Sequence, residues 1–150
     1  MLKKKRMKSK FTIFIVAMMG IKLLLMGLFS SDYQDKLFIP FVMDYLNNGG
    51  NVYQRFYELG ILNAFPYPPI MLFVQSVGAG IIKIFGVTNV FLQNFIFKIP
   101  SFIIDLFGLY VLTNFIPNKR RYIAVFYYAS PIVLYSVYIH DNWILFRWFS

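Results

Sequence analysis

The chain has 150 residues, of which 59% are hydrophobic, 21% aromatic and 14% charged, against the quarter or so of charged residues usual in soluble domains; an ordinary water-soluble domain is excluded. The formal charge is +9, but six of the fifteen basic residues lie in "MLKKKRMKSK", and a basic run beside a long apolar stretch points to an anionic membrane leaflet, not to nucleic acid. The absence of cysteine excludes disulfides, a thiolate nucleophile and thiolate metal sites.

In chain order, the pattern predicts an all-α, polytopic membrane protein: a single membrane domain with about four transmembrane helices and a surface amphipathic helix in the first outer loop. Residues 1–10 form a basic cytoplasmic tail. Residues 11–30 form the first span, apolar apart from Thr12 and Lys22 and long enough for a ~30 Å hydrocarbon layer. It is too long for a signal core and no small-x-small cleavage pattern follows, so it is read as a retained anchor. The positive-inside rule puts the amino terminus in the cytoplasm, with the plasma membrane as the site in a bacterium, and residues 31–65 on the far side. Lys22, deep in the span, is expected to face other helices.

The outer loop 31–65 holds Asp32, Asp35, Asp44 and Glu58, four of the six acidic residues. Phe38, Phe41, Val42 and Tyr45 recur in it at helical spacing, predicting an amphipathic helix that ends at "NNGGN". In "FPYPPIMLFVQSVGAGIIKIFG" the prolines place the helix start at Pro68 or Pro69 and the second span, 66–86, runs to about Phe85. The third span covers 95–115 and ends at "PNKRR"; the fourth covers 121–139. Three crossings leave Lys119, Arg120 and Arg121 outside, against the positive-inside tendency. Either the first basic cluster dominates or a middle segment re-enters without crossing; three crossings is the reading retained.

Charges within a span are costly and mark function, which singles out Lys98 and Asp105, seven residues apart on one helix face. A bundle contact pairs Asp105 with Lys22 or Lys98; alternatively Lys98, near its helix start, binds a lipid phosphate. Asp32, just beyond the first span, is placed to take a proton from a hydroxyl presented at the membrane surface, or simply caps a loop. No metal spacing, phosphate-cradling glycine loop or Ser-His-Asp set can be assembled.

Four short stretches, in this order, resemble the polyprenol-phosphate-sugar-dependent glycosyltransferases of the multi-span GT-C superfamily, in particular its mannosyl- and glucosyltransferase branches. They are "SDYQ" after the first span, "FPYPP" opening the second, "KIPSFIID" in the third and "SPIVLYSVYIH" in the fourth. The resemblance spans Asp32 to His140. It implies inverting transfer of a hexose, such as mannose, from a polyprenyl-phosphate donor to the hydroxyl of a glycan or lipid-linked acceptor, with no cofactor beyond the lipid-phosphate-linked sugar and no metal. Asp32 matches the family's catalytic aspartate, acting as general base, with Asp35 as a second candidate; Lys98, Asp105 and His140 fall at positions implied for donor binding. A non-enzymatic reading stands beside it: a small multi-span accessory subunit or transporter fragment in which Asp105 and Lys98 serve assembly.

The family continues past its histidine with a Gly-Gln-x-Asp-like motif, and this chain departs at Asp141. Trp143 is encoded by TGG and Ile144 begins with AT, so a frame displaced by one base reads Asp there. The preceding codons become Leu, then Gln or a stop, then Gly if the lost base was G. The displaced frame thus reads His-Gly-Gln-Leu-Asp, and residues 141–150 are expected to be a frameshifted tail, the fragment alone being inactive. The alternative is an authentic interfacial tail of Trp and Arg.

Overall fold

The computed structural model describes residues 2–32, 34–61 and 64–139, and every regular element among them is helical. The chain begins with α1 (Leu2–Leu28). A wide turn over Gln34–Phe38 then leads into α2 (Ile39–Asn48), which is followed by α3 (Val52–Glu58). Next come α4 (Pro69–Phe85) and α5 (Val90–Phe115). Last are α6 (Arg120–Ile123), continued by wide turns to Tyr128, and α7 (Pro131–Val133), continued to Ile139. His140 and the tail at 141–150 lie outside the described residues.

The helix ends follow from local chemistry. Pro68 and Pro69 open α4, where a missing N–H costs nothing. Gly86, at φ 58°, closes it: Val87 N–H donates to the Ile82 carbonyl at 3.1 Å and Gly86 N–H to Lys83 at 3.4 Å, the paired bonds of a Schellman motif. Asn89 then caps α5, its side chain accepting from Leu92 N–H at 3.1 Å. Asn51 does the same for α3, accepting from Gln54 N–H at 3.2 Å.

Among the described residues, two helices are long and apolar enough to cross a bilayer, α1 over Phe11–Leu28 and α5 over Val90–Phe115. Only 17% of the 18-residue apolar window in α1 and 28% of that in α5 are buried. Ile13, Val16, Leu24 and Leu28 on α1, with Ile103 and Phe107 on α5, point outward. Apolar surface on this scale fits contact with lipid.

The other two expected spans differ from expectation. Helix α4 has 17 residues, short of a full crossing at ~1.5 Å per residue. The stretch 121–139, expected as one continuous helix, is broken between Tyr128 and Pro131. Pro131 carries no N–H for the helical ladder and holds Ser130 in an extended conformation (φ −58°, ψ 127°). On either side the helix widens, as where Ala129 N–H reaches the Ala124 carbonyl five residues back at 2.9 Å.

Helix directions also depart from expectation. On α1 and α5, Lys22 meets Asp105 and the Phe29 carbonyl meets Lys98, so position rises on one helix as it falls on the other: the two are antiparallel. Helix α4 is antiparallel to α5 as well, with Gln75 against Ser101 and Gly78 against Ile96 and Phe97. Three crossings would have made α1 and α5 parallel.

Beside α4 the segment 34–67 builds an aromatic core. Phe41 stacks on Phe65 (centroids 5.1 Å, 8°) and meets Tyr53 and Phe56 edge-on. Phe38 packs edge-on against both Phe65 and Tyr67. The expected amphipathic helix is therefore real as α2, but its apolar face lies on α3, the 64–67 strap and α4.

Helices α4 and α5 approach closely at Gly78. Pro100 takes away the N–H that would bond to the Ile96 carbonyl, and a methyl at Gly78 would lie 2.8 Å from that carbonyl oxygen and 3.0 Å from the Phe97 backbone. Gly78→Ala should destabilise the protein by about 1–3 kcal/mol, measured by thermal unfolding in detergent. Gly80→Ala, on the same helix with nothing within 4 Å, should be neutral or slightly stabilising; equal effects at both positions would show that close helix contact is not the cause.

Candidate functional site

The polar residues of α5 lie along one face, toward α1 and the end of the described chain, with Ser101 turned to Gln75 of α4. Asn94, Lys98, Ser101 and Asp105 recur at i, i+4, i+7 and i+11 on α5, so one face of an apolar helix carries a polar stripe. Three of them, Asn94, Lys98 and Asp105, are buried, and each has a partner on another element.

At the deepest level the Lys22 ammonium lies 2.5 Å from Asp105 Oδ2, with side-chain exposures of 0% and 7%. Tyr138 O–H donates to the same carboxylate oxygen at 2.7 Å. The ammonium also sits over the Tyr128 ring, 3.6 Å from its centroid, and 5.0 Å from that of Tyr138. The lysine is thus held by a carboxylate on one side and aromatic faces on others, an arrangement that offsets the loss of water around a buried charge. Tyr128 O–H, also buried, has no hydrogen-bond partner among the described residues.

Two turns along α5, the Lys98 ammonium donates to the Phe29 carbonyl at 2.7 Å and the Tyr138 carbonyl at 3.2 Å. Phe29 follows the last residue of α1, where carbonyls have no helical N–H to accept. Further along, Gln34 donates its side-chain N–H to Asn94 Oδ1 at 3.0 Å, and the Ser31 hydroxyl accepts from Gln34 N–H at 3.2 Å. These contacts fix the chain immediately around Asp32.

Asp32 itself is 84% exposed and pairs with Lys36 at 3.0 Å, a surface contact of small energetic weight. Asp35, also exposed, accepts from the Ser30 hydroxyl at 2.5 Å. Neither carboxylate lies in an enclosed cleft among the described residues. A small hollow lined by Phe41, Tyr53, Phe56 and Phe65 belongs to the aromatic core instead. Of the residues singled out from sequence, Asp105 and Lys98 share the buried seam, Asp32 and Asp35 sit at its exposed end, and His140 is outside the described residues. Of the two partners offered for Asp105, the structure selects Lys22. Tyr138, Tyr128, Asn94 and Gln34 were not anticipated; the helical spacing of Asn94 with Lys98 and Asp105 was the available signal.

The segment after Asp32 has its own clamp. Arg55 on α3 donates through Nη2 (2.5 Å) and Nε (2.9 Å) to Asp44 on α2, and through Nη1 to the Gly49 carbonyl at 2.7 Å. The Arg55 hydrogen bonds, outweighing partial burial and helped by Asn48, hold the Asp44 carboxyl below its ordinary value. Burial pushes the Tyr53 phenol up, and its O–H donates to the Tyr67 carbonyl at 3.0 Å.

Comparison with protein family models, curated proteins and solved structures finds no match to this chain.

Removing one member of the deep pair should be costly: Asp105→Asn leaves Lys22 without its counter-charge and should lose about 3–5 kcal/mol in detergent unfolding. Lys22→Met with Asp105→Leu should recover most of it; failure of the pair replacement to recover stability would assign the loss to Tyr138 instead. Because the Asp44 value is lowered in the folded state, its stabilisation is fully present above about pH 4 and disappears as pH falls through the lowered value. Hydrogen exchange over residues 44–58, corrected for intrinsic rates, should rise only in that acid window and be pH-independent in Asp44→Asn.

Proposed function

We propose that this chain is the amino-terminal membrane unit of a GT-C-like glycosyltransferase, its four apolar segments (α1, α4, α5 and the broken 120–139 helix) forming the bundle beside which a hexose is transferred from polyprenyl phosphate to an acceptor hydroxyl. One observation carries the reading: stretches that resemble the family's motifs, far apart in sequence, come together in space. The segment around "SDYQ" is tied to α5 through Gln34 and Asn94. Lys98 of "KIPSFIID" holds the carbonyl three residues before Asp32, and Tyr138 of "SPIVLYSVYIH" bonds both Lys98 and Asp105. In this reading Asp32 deprotonates the acceptor, since phosphate already leaves readily and the protein's task is to position and activate the hydroxyl. Lys98 and Asp105 then act as positioning residues for the Asp32 segment. The base role requires a second wall over Asp32 that the described residues do not supply.

A second reading, a non-enzymatic helical membrane subunit, is favoured by the exposure of Asp32 and by the pairing of Lys22, Asp105 and Tyr138 with one another. The two are separable. In membranes carrying the coding region continued in the displaced frame beyond residue 140, hexose transfer from polyprenyl phosphate should fall about 10²- to 10⁴-fold in Asp32→Asn, with normal protein accumulation. Unchanged transfer removes the base role. In the subunit reading, Asp105→Asn lowers accumulation and Asp32→Asn changes nothing.

A further inference from the structure

The antiparallel packing of α1 and α5 decides which end of the bundle carries the second basic cluster. Counted from the Lys22–Asp105 contact, Lys10 lies twelve residues back along α1, ~18 Å, and Phe115 ten residues on along α5, ~15 Å, both toward the same end. The turn Pro117–Lys119 and the start of α6 therefore stand level with the junction between the basic amino-terminal segment and the apolar part of α1. Lys119, Arg120 and Arg121 are exposed there, with Arg120 Nε donating to the Thr113 carbonyl at 3.1 Å. Large apolar and aromatic side chains flank them: Phe115 is 82%, Tyr122 65% and Phe126 75% exposed, the last two stacked at 6.2 Å and 9°. Cations level with outward-facing aromatic rings are the composition of a headgroup belt.

We propose that the Lys119–Arg121 turn binds the phosphates of an anionic leaflet, on the same face of the membrane as the amino-terminal end of α1. This does not depend on the enzymatic reading. It removes the conflict with the positive-inside tendency that three crossings create, because α5 returns the chain to the side from which α1 left. The segment between them, 29–89, then begins and ends at the opposite face.

The chain lacks cysteine, so each introduced thiol reports alone. In sealed cells expressing the chain, an impermeant maleimide should label Asn47→Cys from one side and Ser9→Cys and Asn118→Cys from the other; labelling of Asn118→Cys together with Asn47→Cys overturns the proposal. In reconstituted vesicles, a fluorophore on Asn118→Cys should be quenched about twofold more by spin-labelled phosphatidylglycerol than by spin-labelled phosphatidylcholine. The difference should vanish in Lys119→Gln/Arg120→Gln/Arg121→Gln. Equal quenching by the two lipids in the unsubstituted turn refutes leaflet binding, and loss of the difference on adding inorganic phosphate alone reassigns the turn to a free-anion site.

Discussion

The ammonium of Lys22 has no favourable place in an apolar helix except against the Asp105 carboxylate, and this requirement organises the bundle. It fixes which face of α1 turns inward, sets the register of α1 on α5, and draws Tyr138 and Tyr128 against the same pair. The rest of the polar seam keeps that register: Lys98 on the Phe29 carbonyl, then Gln34 on Asn94. A shift of α1 by one turn along α5 would break all three levels at once. The ion pair therefore acts less as a source of net stability than as a selector of one packing among several apolar alternatives.

Helix α5 is the common wall. One side carries the polar stripe toward α1, and the other accepts α4 at Gly78, where a side chain would strike the backbone near the proline-freed Ile96 carbonyl. The two faces use different physics. Toward α1, specificity comes from charge and hydrogen bonds; toward α4, from close backbone approach at Gly78, as small residues permit between helices, together with the Gln75–Ser101 hydrogen bond. The aromatic core of α2, α3 and the 64–67 strap then rests on α4, so the segment carrying Asp32 is anchored at its start by the seam and at its end by aromatic packing.

Much of this was legible in the residues. A lysine deep in an apolar span had to face protein, and the Pro-Pro pair had to begin a helix. Two things were not. The pairing of Lys22 with Asp105 names partners but not direction, because a single contact is satisfied by parallel and antiparallel helices alike; a second contact, such as Lys98–Phe29, is needed to distinguish them. The break at Pro131 was legible and overlooked, since the apolar run through "ASPIV" hid the missing N–H. The exposure of Asp32 was beyond reach of local pattern, because whether a carboxylate just past a span is covered depends on elements remote in sequence.

The Lys22–Asp105 contact joins residues 83 positions apart. At roughly 5–20 residues per second of synthesis, about 4–17 s separate the emergence of the lysine from that of its counter-ion. During that interval the first helix carries a cation whose counter-ion has not yet been made. The register of α1 on α5 is therefore set only once the carboxylate has been made, and the earliest helix is the last to settle.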